Sequence, residues 1–110
     1  MKKTMRPGAL GHVLLTLKVR REGDQYVSEC IELGVASCGK TIDEAFSAVK
    51  DATSVYLRTL YDEGELERVL AERGVAITPG EPYEDGREIQ ITARPREYVS
   101  AELLVVPASA

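Results

Sequence analysis

Hydrophobic and polar side chains alternate along residues 13–19, and this period of two is typical of a half-buried β-strand. The residues expected on the buried side are Val13, Leu15, Leu17 and Val19. Glu22, Gly23 and Asp24 supply a turn, and residues 25–31 continue as a second strand, so an antiparallel hairpin is predicted. Residues 35–38 predict a third short strand that Gly39 ends.

A helix is predicted to begin after Thr41, because Thr41-Ile42-Asp43-Glu44 has the form of a capping box. Apolar residues then recur every three or four positions, and the helix should end near Gly64. A second, shorter helix is predicted over residues 65–73, before Gly74. The residues expected to face the sheet from the first helix are Ile42, Ala45, Phe46, Val49, Ala52, Thr53, Tyr56 and Leu60.

Residues 78–86 are rich in Pro and Gly and predict an exposed loop. Two further strands are predicted after it, over residues 89–93 and 98–106. The expected class is therefore α+β, with a three-stranded antiparallel sheet, one long and one short helix, and two C-terminal strands.

The length of 110 residues suits one domain, which we place at residues 12–110 behind a basic N-terminal segment at residues 1–11. The net charge is −4, but residues 1–21 hold six basic side chains and, before Glu22, no acid. The rest of the chain has eight basic against eighteen acidic side chains, a net charge of −10, so direct DNA binding is not expected. No segment has the apolar length of a signal peptide or membrane span, which predicts a cytoplasmic protein.

No set of residues forms an evident catalytic or metal site, and we expect no enzyme activity and no cofactor. His12 is the only histidine and is expected to be a partly exposed residue at a strand start, while Cys30 and Cys38 are expected to be reduced and packed at strand ends. Residues 34–41 do match the phosphate-loop pattern GxxxxGK[ST]. Nucleotide binding or hydrolysis through Gly34–Thr41 therefore stays open as an alternative, as does small-ligand binding between helix and sheet.

Residues 26–45, YVSECIELGVASCGKTIDEA, resemble the signature of the HicB-like antitoxin family, and the resemblance extends over about residues 13–74. It implies a partial ribonuclease-H-like core that binds and masks a small RNA-cleaving toxin. No DNA-binding tail of the family type follows Gly74, so operator binding is not implied. The first strand has no acid before Arg20 that could hold a catalytic metal ion, so nuclease activity is not expected either.

An RNA-cleaving toxin has to be basic, and the acidic body of this chain would attract it. The carboxylates expected at that contact are Glu29, Glu32, Asp43 and Glu44. A second contact is expected at the last strand, which is apolar on both sides near its end. We expect a second subunit to cover Leu104 and Val106 in a dimer or tetramer. The residues expected at the interface are Leu103, Leu104, Val105 and Val106. The alternative is that the second helix, residues 65–73, covers this side of the strand.

Overall fold

The computed structural model describes residues 10–80 and 94–107, and in this part of the chain it shows an α+β fold with one antiparallel sheet and two helices. The predicted α+β class is thus confirmed, but the described strands form one five-stranded sheet instead of a three-stranded sheet with two separate strands. The predicted strand at residues 89–93 and most of the basic segment at residues 1–11 lie outside the described residues. The elements are β1 (Leu10–Glu22), β2 (Gln25–Cys30), β3 (Val35–Gly39), α1 (Ile42–Asp62), α2 (Leu66–Glu72), β4 (Thr78–Pro79) and β5 (Glu97–Pro107).

Strand β1 lies in the middle of the sheet. Its second half pairs with β2, which in turn pairs with β3, and β5 pairs with β1 along residues 10–20. Gly11 and His12 pair with both β4 and β5, so β4 must lie on the same side of β1 as β2. Thr78 and Pro79, expected in a loop, therefore form a short bridge to the beginning of β1.

Helix α1 packs on one face of the sheet, which we call the covered face. The alternation in β1 predicts this face correctly, because Val13, Leu15, Leu17 and Val19 are all buried. From α1 the buried residues are Ala45, Val49, Thr53, Leu57 and Leu60. Leu57 was missing from the predicted stripe, although it continues the four-residue spacing from Ala45 to Thr53.

The ends of α1 follow from local chemistry. The Thr41 hydroxyl accepts a hydrogen bond from the Glu44 amide at 3.1 Å, as the capping box predicts. The Glu44 carboxylate reaches back to the Lys40 amide at 2.8 Å, one residue earlier than in the standard capping box. At the other end Gly64 has φ 72°, and the Glu65 amide donates to the Leu60 carbonyl at 2.8 Å, which closes the helix.

The burial of β5 corrects one expectation. The register pairs Val13 with Leu104 and Gly11 with Val106, so both β5 residues lie on the covered face, where α1 contacts β5 and buries them. Leu104 and Val106 therefore need no second subunit. Helix α2 does not cover β5 either, because it packs against α1. The apolar residues that stay exposed at this end are Leu103 and Val105, on the opposite side of the strand.

Candidate functional site

The sheet has a second face, which we call the open face because no helix of residues 10–80 packs on it. Leu14 and Leu103 are direct neighbours across β1 and β5, and Val105 follows Leu103 two positions later. Their exposed fractions are 43%, 36% and 48%. Since side chains on one side of paired strands touch their neighbours, these three form one continuous apolar patch.

Charged side chains occupy the other end of the open face. Lys18 Nζ lies 3.5 Å from a carboxylate oxygen of Glu97, and Arg20 pairs with Glu22. The Arg94 amide also donates to Glu97, at 3.1 Å. This hydrogen bond, together with the charge of Lys18, lowers the pKa of the Glu97 carboxyl below its ordinary value. The ion pairs offset one another, so the open face has little net charge to offer a charged ligand.

The four carboxylates expected at a partner contact do not form one cluster. Both Glu32 oxygens are engaged within the chain, one by the Thr16 amide and one by the Thr16 hydroxyl, each at 2.8 Å. Glu44 is engaged in the α1 cap. Glu29 is half-buried on the open face, next to Lys18 in the register, whereas Asp43 is exposed in the first turn of α1. Glu32 precedes β3 and Asp43 follows it, so these two side chains lie near opposite ends of that strand.

The acidic charge of the described chain is instead concentrated in residues 41–74, which we call the helix layer. The remaining described residues hold six acidic and six basic side chains, and so carry no net charge. The helix layer has four basic side chains, Lys50, Arg58, Arg68 and Arg73, and eight acidic ones, Asp43, Glu44, Asp51, Asp62, Glu63, Glu65, Glu67 and Glu72.

Two of these acids occupy positions that folding disfavours. Asp62 is the last residue of α1 and Glu63 is its C-cap, both are exposed, and the last turn has no basic residue. A helix C-terminus carries a partial negative charge, so carboxylates there lower stability. Arg68 forms ion pairs with Glu65 and Glu72. Its positive charge is therefore not paired with Asp62 or Glu63 at the end of α1.

The segment that matches the phosphate-loop pattern does not form such a loop. Residues 35–39 are extended in β3 and pair with β2, so their amides do not curl around a common centre. Lys40 and Glu44, whose amides would face a phosphate, both donate to side chains of the chain itself. Gly39 is required for a different reason: a Cβ there would lie 2.6 Å from the Ala45 nitrogen, so only glycine lets β3 approach α1 this closely.

The cysteines and the histidine also have local roles. Cys30 is buried as expected, and burial raises the pKa of its thiol, but Cys38 is exposed, so the expectation of a packed Cys38 is wrong. His12 was expected to be partly exposed, yet it is buried, and its Nδ1 lies 2.9 Å from the Gly80 carbonyl oxygen. No three His, Cys, Asp or Glu residues of the described chain are grouped to hold a metal ion.

A groove of about 460 Å³ lies between the second half of α1 and the end of β5. Val55, Val105 and Pro107 give it an apolar lining, with Arg58 on one side. Among the described residues, this groove offers room between helix and sheet for a small ligand. Neither described helix is long and apolar enough to cross a membrane.

The alternation places Leu14 on the outward side of β1, but an apolar patch at this position was not predicted. Leu14 falls on the polar side of the alternation, with Thr16 and Lys18. A leucine at such a position predicts an apolar spot on an otherwise wet face. Leu103 was predicted at an interface, but only the register of β5 on β1 shows that it lies beside Leu14.

Comparison with known proteins finds no matching family model, no significantly similar curated protein and no matching solved structure. The motif at residues 26–45 and the geometry of the described residues are therefore the features that bear on function.

Proposed function

We propose that this chain is a cytoplasmic, non-enzymatic protein-binding module of the HicB-like antitoxin kind, with a partial ribonuclease-H-like core. Its partner would be a small basic protein that cleaves RNA. The acidic helix layer would occupy the surface with which that protein binds RNA phosphates.

The observation that carries this proposal is the segregation of charge. The helix layer has twice as many acidic as basic side chains, while the rest of the described chain is balanced. Asp62 and Glu63 strengthen the argument because they oppose the helix dipole and so have no role in stabilising α1. Charges kept against folding stability are typical of a functional surface.

The groups that could suggest enzyme chemistry have structural roles, which supports the non-enzymatic part of the proposal. Thr41 and Glu44 cap α1, and Glu32 binds Thr16. Because Glu32 and Glu44 are engaged within the chain, we place the proposed contact at the end of α1, around Asp62 and Glu63.

The proposal is tested by purifying the tagged chain from its native host and identifying a small basic protein encoded beside it. That protein alone should cleave RNA, and an equimolar amount of this chain should stop the cleavage. Binding should weaken steeply as salt is raised, because exposed charges are screened. Absence of such a protein, or cleavage that continues with the chain in excess, would refute the proposal.

A pair of matched variants locates the contact. Asp62→Lys with Glu63→Lys reverses two charges at the end of α1, and Glu22→Lys with Asp24→Lys reverses two at the exposed β1–β2 turn. We expect the first pair to weaken partner binding by about tenfold or more while slightly stabilising the fold, because the dipole then favours the charges. The second pair should leave binding within about threefold. Equal weakening by both pairs would contradict a contact at the helix layer.

A further inference from the structure

The apolar patch on the open face has no described element against it. Leu14, Leu103 and Val105 lie side by side, and Val99 and Ala101, both half-buried, continue the apolar row along β5. Within residues 10–80 and 94–107 no element packs on this patch, whereas α1 packs on the opposite face of the same strands. A continuous apolar area on one sheet face is typical of a surface that packs against another protein surface.

The charge distribution around the patch indicates which kind of partner surface packs against it. The charged residues of β1 and β5 on the open face are at the far end, where Lys18 and Glu97 pair with each other. Around Leu14 and Leu103 the neighbours are Thr16, Ala101 and the buried ring of His12. A strongly charged partner would find no opposite charge here, whereas a surface that is itself apolar and neutral fits it.

A second copy of this chain carries such a surface. We infer that two copies associate through their open faces, with the patch of Leu14, Leu103 and Val105 at a two-fold axis. The acidic helix layers then lie on the two outer sides, as far apart as the fold allows, so the contact avoids repulsion between them. The two sheets pack about 10 Å apart, as stacked sheets do. This inference goes beyond the proposed function and does not depend on it.

The contact is small, and the association should be correspondingly weak. Three main side chains with less than half of their surface exposed place the interface at the low end of specific interfaces. We expect a dissociation constant on the order of 10 µM, so that monomer and dimer exchange over an accessible range of concentration.

Sedimentation velocity of the full chain tests the inference between about 1 and 300 µM, a range that spans the expected dissociation constant. The sedimentation coefficient of the unaltered chain should rise from the monomer to the dimer value. Leu103→Lys should keep the chain monomeric throughout, because it places a charge at the two-fold axis. The matched control is Val55→Lys, since Val55 is 66% exposed but lies on α1, and it should dimerise like the unaltered chain.

Folding of each variant is checked by circular dichroism and thermal unfolding at low concentration, so that loss of the dimer is not confused with loss of the fold. Cross-linking provides a second measurement. In a Cys38→Ser background, Leu103→Cys should form a covalent dimer on oxidation, and Val55→Cys should not. Cys30 is buried and does not interfere.

A chain that stays monomeric at the highest concentration overturns the inference, and so does a dimer that survives Leu103→Lys. A dimer that Val55→Lys abolishes would place the contact at the groove beside α1 and also overturn it. A monomer that dimerises only after removal of residues 1–9 would show that this segment, and not a second copy, covers the patch. Partner binding measured with Leu103→Lys should be unchanged, so failure here and failure of the proposed function are distinguishable.

Discussion

The role of Glu32 gives the sharpest test of the structure, because the sequence pointed to partner binding and the structure to folding. Strand β2 ends at Cys30, and the Ile31 amide still donates to the Thr16 carbonyl at 2.9 Å. Because β2 has ended, its backbone does not pair with the Thr16 amide. One Glu32 carboxylate oxygen accepts a hydrogen bond from this amide instead, at 2.8 Å. The side chain thus replaces one step of strand pairing.

Glu32→Ala removes two hydrogen bonds to a carboxylate and leaves the Thr16 amide and hydroxyl without their partner. A hydrogen bond to a charged group is worth about 1.5–3 kcal/mol, and the half-buried position reduces this because water can replace part of it. We expect a loss of about 2–3 kcal/mol in the free energy of unfolding, a fall in melting temperature on the order of 10 °C. Glu32→Gln can still accept from the amide and donate to the hydroxyl, so it should lose only about 1 kcal/mol.

Urea unfolding followed by circular dichroism measures these changes, at one fixed low protein concentration so that association does not contribute. A double-mutant cycle with Thr16→Val isolates the hydroxyl bond, for which we expect a coupling of about 1 kcal/mol. If Glu32→Ala lowers stability by less than about 0.5 kcal/mol, the size of an ordinary surface substitution, the assigned role is refuted. The same variant should leave binding of a basic partner unchanged at temperatures where it is folded.

Four further predictions use the same unfolding assay, in one case as a function of pH, or a simple chemical one. Gly39→Ala should lower the free energy of unfolding by about 2 kcal/mol, because its Cβ would press on the backbone of α1. Gly23→Ala is the control: it has open space around it and only an unfavourable positive φ, and it should lower the free energy of unfolding by about 1 kcal/mol. Equal losses would contradict the close approach of β3 to α1. Ser28→Ala removes a buried hydroxyl that has no hydrogen-bond partner among the described residues, so it should leave stability unchanged or raise it by up to about 1 kcal/mol, and a clear loss would reveal a missed partner. In the native chain a thiol reagent should modify Cys38 quickly and Cys30 only on unfolding, and two fast thiols would disprove the burial of Cys30. Because burial raises the pKa of Cys30 in the folded state, its contribution to stability is present below the pKa of the unfolded thiol and declines as the pH rises above that value.

The sequence determined the features whose causes are local. Alternation in residues 13–19 selected the buried side of β1, because a strand places successive side chains on opposite faces. Thr41 and Glu44 identified the beginning of α1, since a cap acts within four residues. Gly64 and Gly74, both with positive φ, identified the ends of the two helices for the same reason.

Only the tertiary structure decided which sides of distant strands share a face. In β5 the sequence offered two apolar sides, and its antiparallel register on β1 chose Leu104 and Val106 for the covered face and left Leu103 and Val105 outside. A shift of one residue would have reversed that choice, because the side-chain period of a strand is two. The role of Glu32 depends in the same way on Thr16, sixteen residues earlier, where the divergence of two strands leaves an amide to be satisfied. Such pairings join residues far apart in the chain and cannot be inferred from residue type or spacing. The sequence therefore identified the polar and apolar groups, and the fold determined which of them make contacts within the chain and which remain exposed.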